Sequence, residues 1–390
     1  MKFSINKDNL LKPLNIVLNL AVDAAAAKKN QIYNNILLDL TEEGLKFVAT
    51  DGSSDIITFV SKEQIESIDE IGKVTLSAKD LKSICSQEFI SRTNNNNSGT
   101  IELCYDEQIS QMTVKKNRAI YTLKTLDASS FPCIPEIEPK ISFKIKEGDL
   151  KDIIKTTKFS MSSEDVRKIF NAMLFDIRNN CLNVVSTDSH RLSYNKYELI
   201  DTEEDINDAM MIVGRKAITE MSSLLQNSSN LITINISEKS FSMINENYIY
   251  NSKIIDGSWP KYLGLLPNPN TYLGSFTIEK DILKNLINNV SFLSTENLNS
   301  WVTIIVDNNK ITLKNSNSKH EYAEVTSNDV IYDGEHHEMT LNYKFLTDII
   351  NNVSSKELIV NIVKSSVEIE LNDNEKDCGE LKYIIMLIRL

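Results

Sequence analysis

The sequence predicts an α+β protein of three tandem domains, each made of two strand–helix–strands units. One pattern occurs three times: FSINKDNLLKPLNIVLNLA from Phe3, FKIKEGDLKDIIKTTKFSMS from Phe143 and FTIEKDILKNLINNVSFLST from Phe276. Each copy reads as a short alternating strand, an acidic residue at a turn (Asp8, Asp149, Asp281) and an amphipathic helix. The copies start 140 and 133 residues apart, too far for a solenoid unit and right for a domain. Domains are therefore expected over 1–135, 140–258 and 260–390. A fold repeated in this way points to a protein that works by its overall shape, not by one catalytic pocket.

Within each repeat the first helix is followed by a hairpin-like pair: ILLDLTEEGLKFVATD, MLFDIRNNCLNVVSTD and VTIIVDNNKITLKNS. Their turns TEEG, RNN and DNN join alternating apolar runs, as hairpins require. A second strand–helix unit comes next (GKVTLSAKDLKSIC, AMMIVGRKAITEMSSLL, HEMTLNYKFLTDIINNV), and two more strands close the repeat. The junctions LDASSFPCIPEIEP (126–139) and IDGSWPKYLGLLPNPN (255–270) hold six of the seven prolines. Proline there stops strand pairing and stiffens a connection. The Asn94–Asn97 run reads as a hairpin tip without assigned function.

Composition sets further bounds. A hydrophobic content of 41% with 25% charged residues is ordinary for a soluble protein with a real core. No apolar run is long enough to span a membrane, and MKFSINKDNLL opens directly into a strand pattern without a signal-peptide core. Five scattered cysteines (Cys85, Cys104, Cys133, Cys181, Cys378) read as reduced thiols, so a cytoplasmic protein is expected. A net charge of −12 by itself argues against a nucleic-acid binder.

The helices run against that balance. Stripes such as Leu10, Leu11, Leu14, Val17 and Leu18, or Ala217, Ile218, Met221, Leu224 and Leu225, are expected to face the core. The faces left free carry Lys12, Lys79, Lys82, Lys151, Lys155, Lys158, Arg215, Lys216, Lys284 and Lys344, against Asp80, Asp152, Glu220 and Asp348. Any single helix would show such lysines merely because they are solvated. Six helices biased the same way would make a phosphate-attracting side on an acidic protein.

The chain resembles the beta sliding clamp of bacterial DNA polymerase III. The opening MKF…LLKPL and the blocks FSMSSEDVRKIFNAMLF (159–175), STDSHRL (186–192) and SKIIDGSWPKY (252–262) carry the resemblance. The final Arg389-Leu390 after an apolar strand adds to it, so the likeness covers the whole chain. It implies three DNA-clamp domains, closing as a head-to-tail dimeric ring with helices inside and sheets outside. Duplex DNA would be encircled without sequence readout. The replicative polymerase, the clamp loader and other clamp-motif replication and repair proteins would be partners, and neither cofactor nor metal is implied.

The resemblance further implies a peptide-docking pocket between the second and third domains. Its walls would be Phe170, Thr187, Ser189, His190, Arg191, Leu192, Pro260, Leu265, Ile384, Ile385, Met386, Leu387, Ile388 and Arg389. Ile384 to Ile388 also read as a core-facing last strand, and Phe170 as a core residue. The family commonly has Gly where Ser189 stands, Arg where Gly264 stands and Pro where Leu387 stands. An Arg common in the loop after the first helix is missing, which leaves Lys28 and Lys29 as the DNA-facing candidates there. Tyr121 and Leu123, with Phe292 and Leu293, correspond to the dimer interface and also read as ordinary core.

Catalytic readings are weak. Ser186, Asp188 and His190 are two apart on one segment, whereas a triad converges from separate elements. No G-x-S-x-G elbow or phosphate-cradling glycine loop occurs, and His336-His337 lack a third ligand at metal spacing. A non-catalytic protein is expected. A scaffold of the same fold that encircles nothing is the alternative, and the basic helix faces argue against it.

Overall fold

The computed structural model describes residues 1–21, 31–87, 99–135, 137–199, 208–294, 300–317, 320–371 and 379–389. Lys28, Lys29, Asn94–Asn97, Cys378 and Leu390 lie outside the described residues. The first repeat comprises β1 (Lys2–Asn6), α1 (Lys7–Ala21), β2 (Asn35–Leu40), β3 (Gly44–Thr50), β4 (Ser54–Ser61), β5 (Ile65–Glu70), β6 (Gly72–Ser77), α2 (Ala78–Ser86), β7 (Thr100–Asp106), β8 (Gln111–Lys116) and β9 (Ala119–Leu126). The second comprises β10 (Ile141–Lys146), α3 (Glu147–Thr157), β11 (Ala172–Arg178), β12 (Cys181–Thr187), β13 (Arg191–Glu198), β14 (Ala209–Gly214), α4 (Arg215–Leu224), β15 (Leu231–Ile236), β16 (Ser240–Ile244) and β17 (Ile249–Lys253). The third comprises β18 (Gly274–Glu279), α5 (Lys280–Ser291), β19 (Trp301–Asp307), β20 (Lys310–Ser316), β21 (Tyr322–Ser327), β22 (Val330–Gly334), β23 (His337–Asn342), α6 (Tyr343–Asn352), β24 (Glu357–Ile362), β25 (Ser366–Leu371) and β26 (Glu380–Met386).

The strand–helix–strands order is as expected, but the strands are more numerous. A third strand (β4, β13, β21) follows each hairpin, and three strands, not two, follow each second helix. Two of the third strands, β4 and β13, escape a periodicity test because they bury polar groups, and β21 because it buries none of its residues. On β13, Ser193 and Asn195 are as buried as their apolar neighbours, and the Ser193 hydroxyl bonds that of Ser160 at 2.5 Å. The acidic residues Asp8, Asp149 and Asp281 lie inside the first helical turn, where the helix dipole favours a negative charge. In α1 the core stripe is Leu10, Pro13, Leu14, Val17, Leu20 and Ala21; Leu11 and Leu18 are only half-buried.

The chain condenses into two compact units. One is Met1–Ile145 with Thr219–Gln226 and Asn230–Ile254; the other is Lys146–Ile218 with Asn227–Ser229 and Ile255–Leu390. The first holds a 13-stranded sheet in the order β10-β15-β16-β17-β4-β3-β2-β6-β9-β8-β7-β1-β5. The second holds a nine-stranded sheet, β14-β11-β12-β13-β26-β25-β24-β18-β22, and a four-stranded sheet, β21-β20-β19-β23. Both large sheets cross from one repeat to the next by the same rule: the third strand of one repeat pairs antiparallel with the last strand of its successor. In the first unit this seam is β4–β17, from Ser54↔Ser252 to Ile57↔Ile249. In the second it is β13–β26, from Arg191↔Ile385 to Lys196↔Glu380.

Each seam buries a tyrosine at the same position. Tyr250 faces Ile56 and donates to Glu220 at 2.7 Å; Tyr383 faces Ser193 and donates to the Thr156 carbonyl at 3.0 Å. Glu220 therefore points into the protein, not out from the free face of α4, because its carboxylate satisfies a fully buried hydroxyl. Tyr121 is the third copy, six residues before Asp127 as Tyr250 is before Asp256. It is half-buried on a strand whose residues Ala119–Lys124 pair, among the described residues, with β8 alone, β6 being reached at Thr125 and Leu126. Among the described residues the corresponding third strand, β21, pairs with β20 alone.

Asp55 ties the first proline-rich junction to the sheet. It is fully buried, bonded to the Thr50 hydroxyl, and accepts the Ile134 N–H at 2.5 Å. Burial outweighs these bonds and raises its carboxyl above 3.8. A raised acid stabilises the fold most when protonated, so its contribution is full below 3.8 and falls as pH rises through the raised value. Asp55→Asn is thus expected to gain on the parent in urea-unfolding midpoint between pH 3.8 and neutrality. A difference that stays constant over that range would contradict this.

Candidate functional site

The block STDSHRL forms a tight turn between β12 and β13. Asp188 Oδ1 accepts the N–H groups of His190 and Arg191, each at 3.0 Å, and Thr187 Oγ1 donates to the Arg191 carbonyl at 2.6 Å. The first repeat makes the same turn: Asp51 Oδ1 accepts Ser53 and Ser54 N–H at 2.7 Å, and Thr50 donates to the Ser54 carbonyl at 3.1 Å. Its apex is Gly52 at φ +85°, whereas the second repeat places Ser189 there at +75°. In the third repeat Asn317 Oδ1 likewise accepts the Glu321 N–H at 3.0 Å ahead of β21. This turn also removes the hydrolase reading, since Ser186 is buried and its hydroxyl is donated to the Thr157 carbonyl.

Beside the turn, one face of the nine-stranded sheet carries a buried apolar cluster. Ala172, Leu174, Val185, Leu192, Tyr194, Ile212, Tyr262 and Ile384 form it, with half-buried Ile169, Ile255, Trp259 and Leu266 packed against it. The candidate pocket residues divide around this cluster. Phe170, Thr187, Leu192 and Ile384 are buried beneath, while Ser189, His190, Pro260, Leu265, Met386 and Arg389 are exposed around it. Leu265 and Met386 keep 57% and 47% of their surface in water, an apolar exposure that suits a docking rim.

Three of the expected wall residues do something else. Ile385 is fully buried in the core of the third repeat, and Leu387 packs against that same core. Alternation along a strand sends Ile384 and Met386 to one face and these two to the other. Arg191 is a strut. Its Nε meets Asp188 at 3.0 Å, Nη1 meets Asp348, Nη2 donates to the Phe159 carbonyl at 2.7 Å, and its guanidinium stacks 4.5 Å from the Phe345 ring. The tail after β26 is held by its backbone: Met386, Leu387 and Ile388 donate to His190, Ser365 and Thr340 carbonyls at 2.9, 3.0 and 2.8 Å.

Sequence reasoning missed Arg167. Its guanidinium lies 4.2 Å over the Phe170 ring and is gripped by Asp165 through two bonds of 3.0 Å. The ion pair holds the Asp165 carboxyl below its usual range. The D-x-R spacing in SSEDVRKIF was the available signal.

Among the basic candidates, Lys12, Lys79, Lys82, Lys155, Lys216, Lys284 and Lys344 are exposed, and Lys151 and Lys158 are half-buried. Arg215 is exposed, with its Nη1 bonded to the Met161 and Ser162 carbonyls at 3.0 Å. In the first unit α1 packs beside α2; in the second α6 packs against both α3 and α5. Neighbouring helices thus carry lysine in each unit. Of the expected interface residues, Tyr121 and Leu123 sit half-buried on the free edge of β9, and Phe292 is 61% exposed. Leu293 is buried, which removes it from the free surface. Among the described residues no three His, Cys, Asp or Glu side chains could hold a metal, and no helix is long and apolar enough to cross a membrane.

Three family models match the chain in order: DNA polymerase III beta subunit, N-terminal domain over 1–135, central domain over 144–261 and C-terminal domain over 265–389. The chain belongs to the DNA polymerase III beta subunit family. Beta sliding clamps of Proteus mirabilis and Haemophilus influenzae are 30% and 29% identical to it, over 100% of each chain. The crystal structure of the Pseudomonas aeruginosa beta subunit superposes with a TM-score of 0.89 at 25% identity, covering 100% of both chains. The Bacillus subtilis sliding clamp gives 0.87 at 22% identity, covering 100% of this chain and 99% of that one. Membership makes the chain a processivity subunit of the polymerase, without catalysis of its own.

The departures from the sliding-clamp pattern now have physical meanings. Nothing lies within 4 Å of a Cβ at Gly264, so the Arg common there would extend into open space. Leu387 uses its N–H on Ser365, a bond that proline could not make. Ser189 holds a left-handed conformation that costs a non-glycine residue roughly 1 kcal/mol. Ser189→Gly is expected to raise unfolding stability by up to about 1 kcal/mol. A destabilised variant in urea titration would show that the serine side chain, not the backbone, matters at this turn.

Proposed function

We propose that two copies of this chain close head to tail into a ring around duplex DNA, each contributing three clamp domains over 1–135, 140–258 and 260–390. The observation that carries this is the pair of unused edges. At both seams within the chain a third strand pairs with a last strand, and β21 and β9 are the third and last strands left over. Open edges invite further pairing, and pairing β21 of one copy with β9 of the other leaves none of this class exposed. Aligned on the shared turn and the shared tyrosine, the register sets Tyr121 opposite Ala323, and Ile120 opposite Glu324. Phe292, beyond the end of α5, is the further apolar residue assigned to this interface.

The exposed lysines of the helices are the groups we assign to DNA: Lys12, Lys79, Lys82, Lys155, Lys216, Lys284 and Lys344, with Lys151, Lys158 and Arg215 beside them. Phosphate contacts position without reading sequence, so such a lining permits sliding. Charge is concentrated there while the chain as a whole carries −12, which discourages DNA from binding elsewhere. The apolar cluster ringed by Leu265, Met386, Pro260 and His190 suits the hydrophobic tail of a short motif. Through it the clamp would tether the replicative polymerase, the clamp loader and other replication and repair proteins. We place the protein in the cytoplasm with them.

Two experiments test the reading. Protein placed by a clamp loader on nicked circular duplex is expected to persist in moderate salt and to leave once the circle is cut. Equal retention on circle and line would mean ordinary electrostatic binding. For the interface, Ile120→Glu would oppose Glu324 and weaken the dimer, whereas Ile120→Lys would strengthen it, each by about 0.2–1 kcal/mol. Sedimentation equilibrium that shows both variants shifting the same way would rule out this register.

A further inference from the structure

The exposed wall of the pocket has little to hold it. Of Pro260–Leu265 only Tyr262 is buried; Pro260, Lys261, Leu263, Gly264 and Leu265 all face water. Among the described residues, Tyr262 also makes the one side-chain hydrogen bond from Ser258–Leu266, donating to Asp176 Oδ2 at 2.7 Å. Trp259 and Leu266 pack against the cluster, but Trp259 offers no second hydrogen bond, since its Nε1 is buried without a partner. Asp176 lies on β11 with no exposed surface, beneath the apolar cluster.

Arg178 fixes that carboxylate from its other side, and Asn183 holds the main chain of the same residue. Arg178 Nε donates to its two oxygens at 2.9 and 2.8 Å. Asn183 donates to the Asp176 carbonyl at 3.1 Å and accepts the Tyr194 hydroxyl at 2.9 Å. The Tyr194 and Tyr262 rings then meet at 6.0 Å. Burial pushes the Tyr194 hydroxyl up to about 12, and burial with the Asp176 bond pushes Tyr262 up as well, so both remain donors at neutral pH. A buried network with every member paired holds one geometry.

We propose that Asp176 is a positioning residue for the peptide pocket, acting through the Tyr262 hydroxyl to set where Leu265 and Pro260 stand. This rests on the pocket reading above, in which those two residues form the wall. The carboxylate touches no ligand. It converts a water-exposed loop into a fixed surface against which a hydrophobic tail can pack, and a surface already in place saves the cost of ordering it on binding.

Fluorescence anisotropy with a labelled hexapeptide of polar residues ending in Leu-Leu-Phe tests this on the full-length dimer. Leu265→Ala is expected to weaken binding about tenfold, as loss of a wall contact should. Tyr262→Phe, which keeps the ring, and Asp176→Asn, which keeps the shape, are each expected to weaken it about five- to tenfold without changing the dimer mass. Leu265→Ala added to Tyr262→Phe should then cost less than about twofold more, because the contact is already lost. Independent, multiplying losses would mean a general structural role and overturn the proposal. So would binding within twofold of the parent in both Tyr262→Phe and Asp176→Asn, while the pocket stands if Leu265→Ala still weakens. No binding to the parent, or no effect of Leu265→Ala, would remove the pocket reading and this inference with it.

Discussion

Antiparallel pairing between the third strand of one repeat and the last strand of the next is the constraint on which the rest depends. A strand edge presents unpaired N–H and C=O groups, and each repeat would end in two such edges if it stood alone. The chain resolves two of its three cases internally, at β4–β17 and β13–β26. The pairing runs through the middle of large sheets, so compactness follows the seams and not the repeats. That is why the two compact units each join parts of successive repeats.

The seam also builds the candidate pocket. Pairing β13 with β26 brings Leu192 and Ile384 side by side, and the turn that begins β13 delivers Thr187, Ser189 and His190 to the same end. The last strand then leaves its tail against His190, Ser365 and Thr340 carbonyls. Arg191 sits at the corner, linking the turn to Asp348 on α6 and to the Phe159 carbonyl. A chain without that seam would carry the same residues with no surface to share.

Buried polar groups do much of the specifying. Glu220 under Tyr250, Asp176 under Tyr262 and Asp55 under Ile134 each sit in the interior with hydrogen bonds that replace water. Their geometry admits one arrangement, whereas apolar contacts tolerate several. Glu220 shows the cost of reading such residues by type alone. A glutamate on an amphipathic helix is ordinarily solvated, and the hydroxyl arriving from β17 helps to make its burial favourable.

Much was legible in the chain itself: three copies of one strand–helix pattern, the helices, the basic bias of their free faces and the family blocks. These are local, since helical spacing and turn chemistry act over a few residues. Tertiary structure decided what local pattern cannot carry. It divided Ile384 and Met386 from Ile385 and Leu387, because strand alternation assigns faces only once neighbours are known. It turned Arg191 from an expected wall residue into a strut and withdrew Leu293 from the surface. It also revealed β4, β13 and β21: the first two bury polar groups such as Ser54, Thr58, Ser193 and Asn195, and β21 buries none of its residues, so no hydrophobic period marks them.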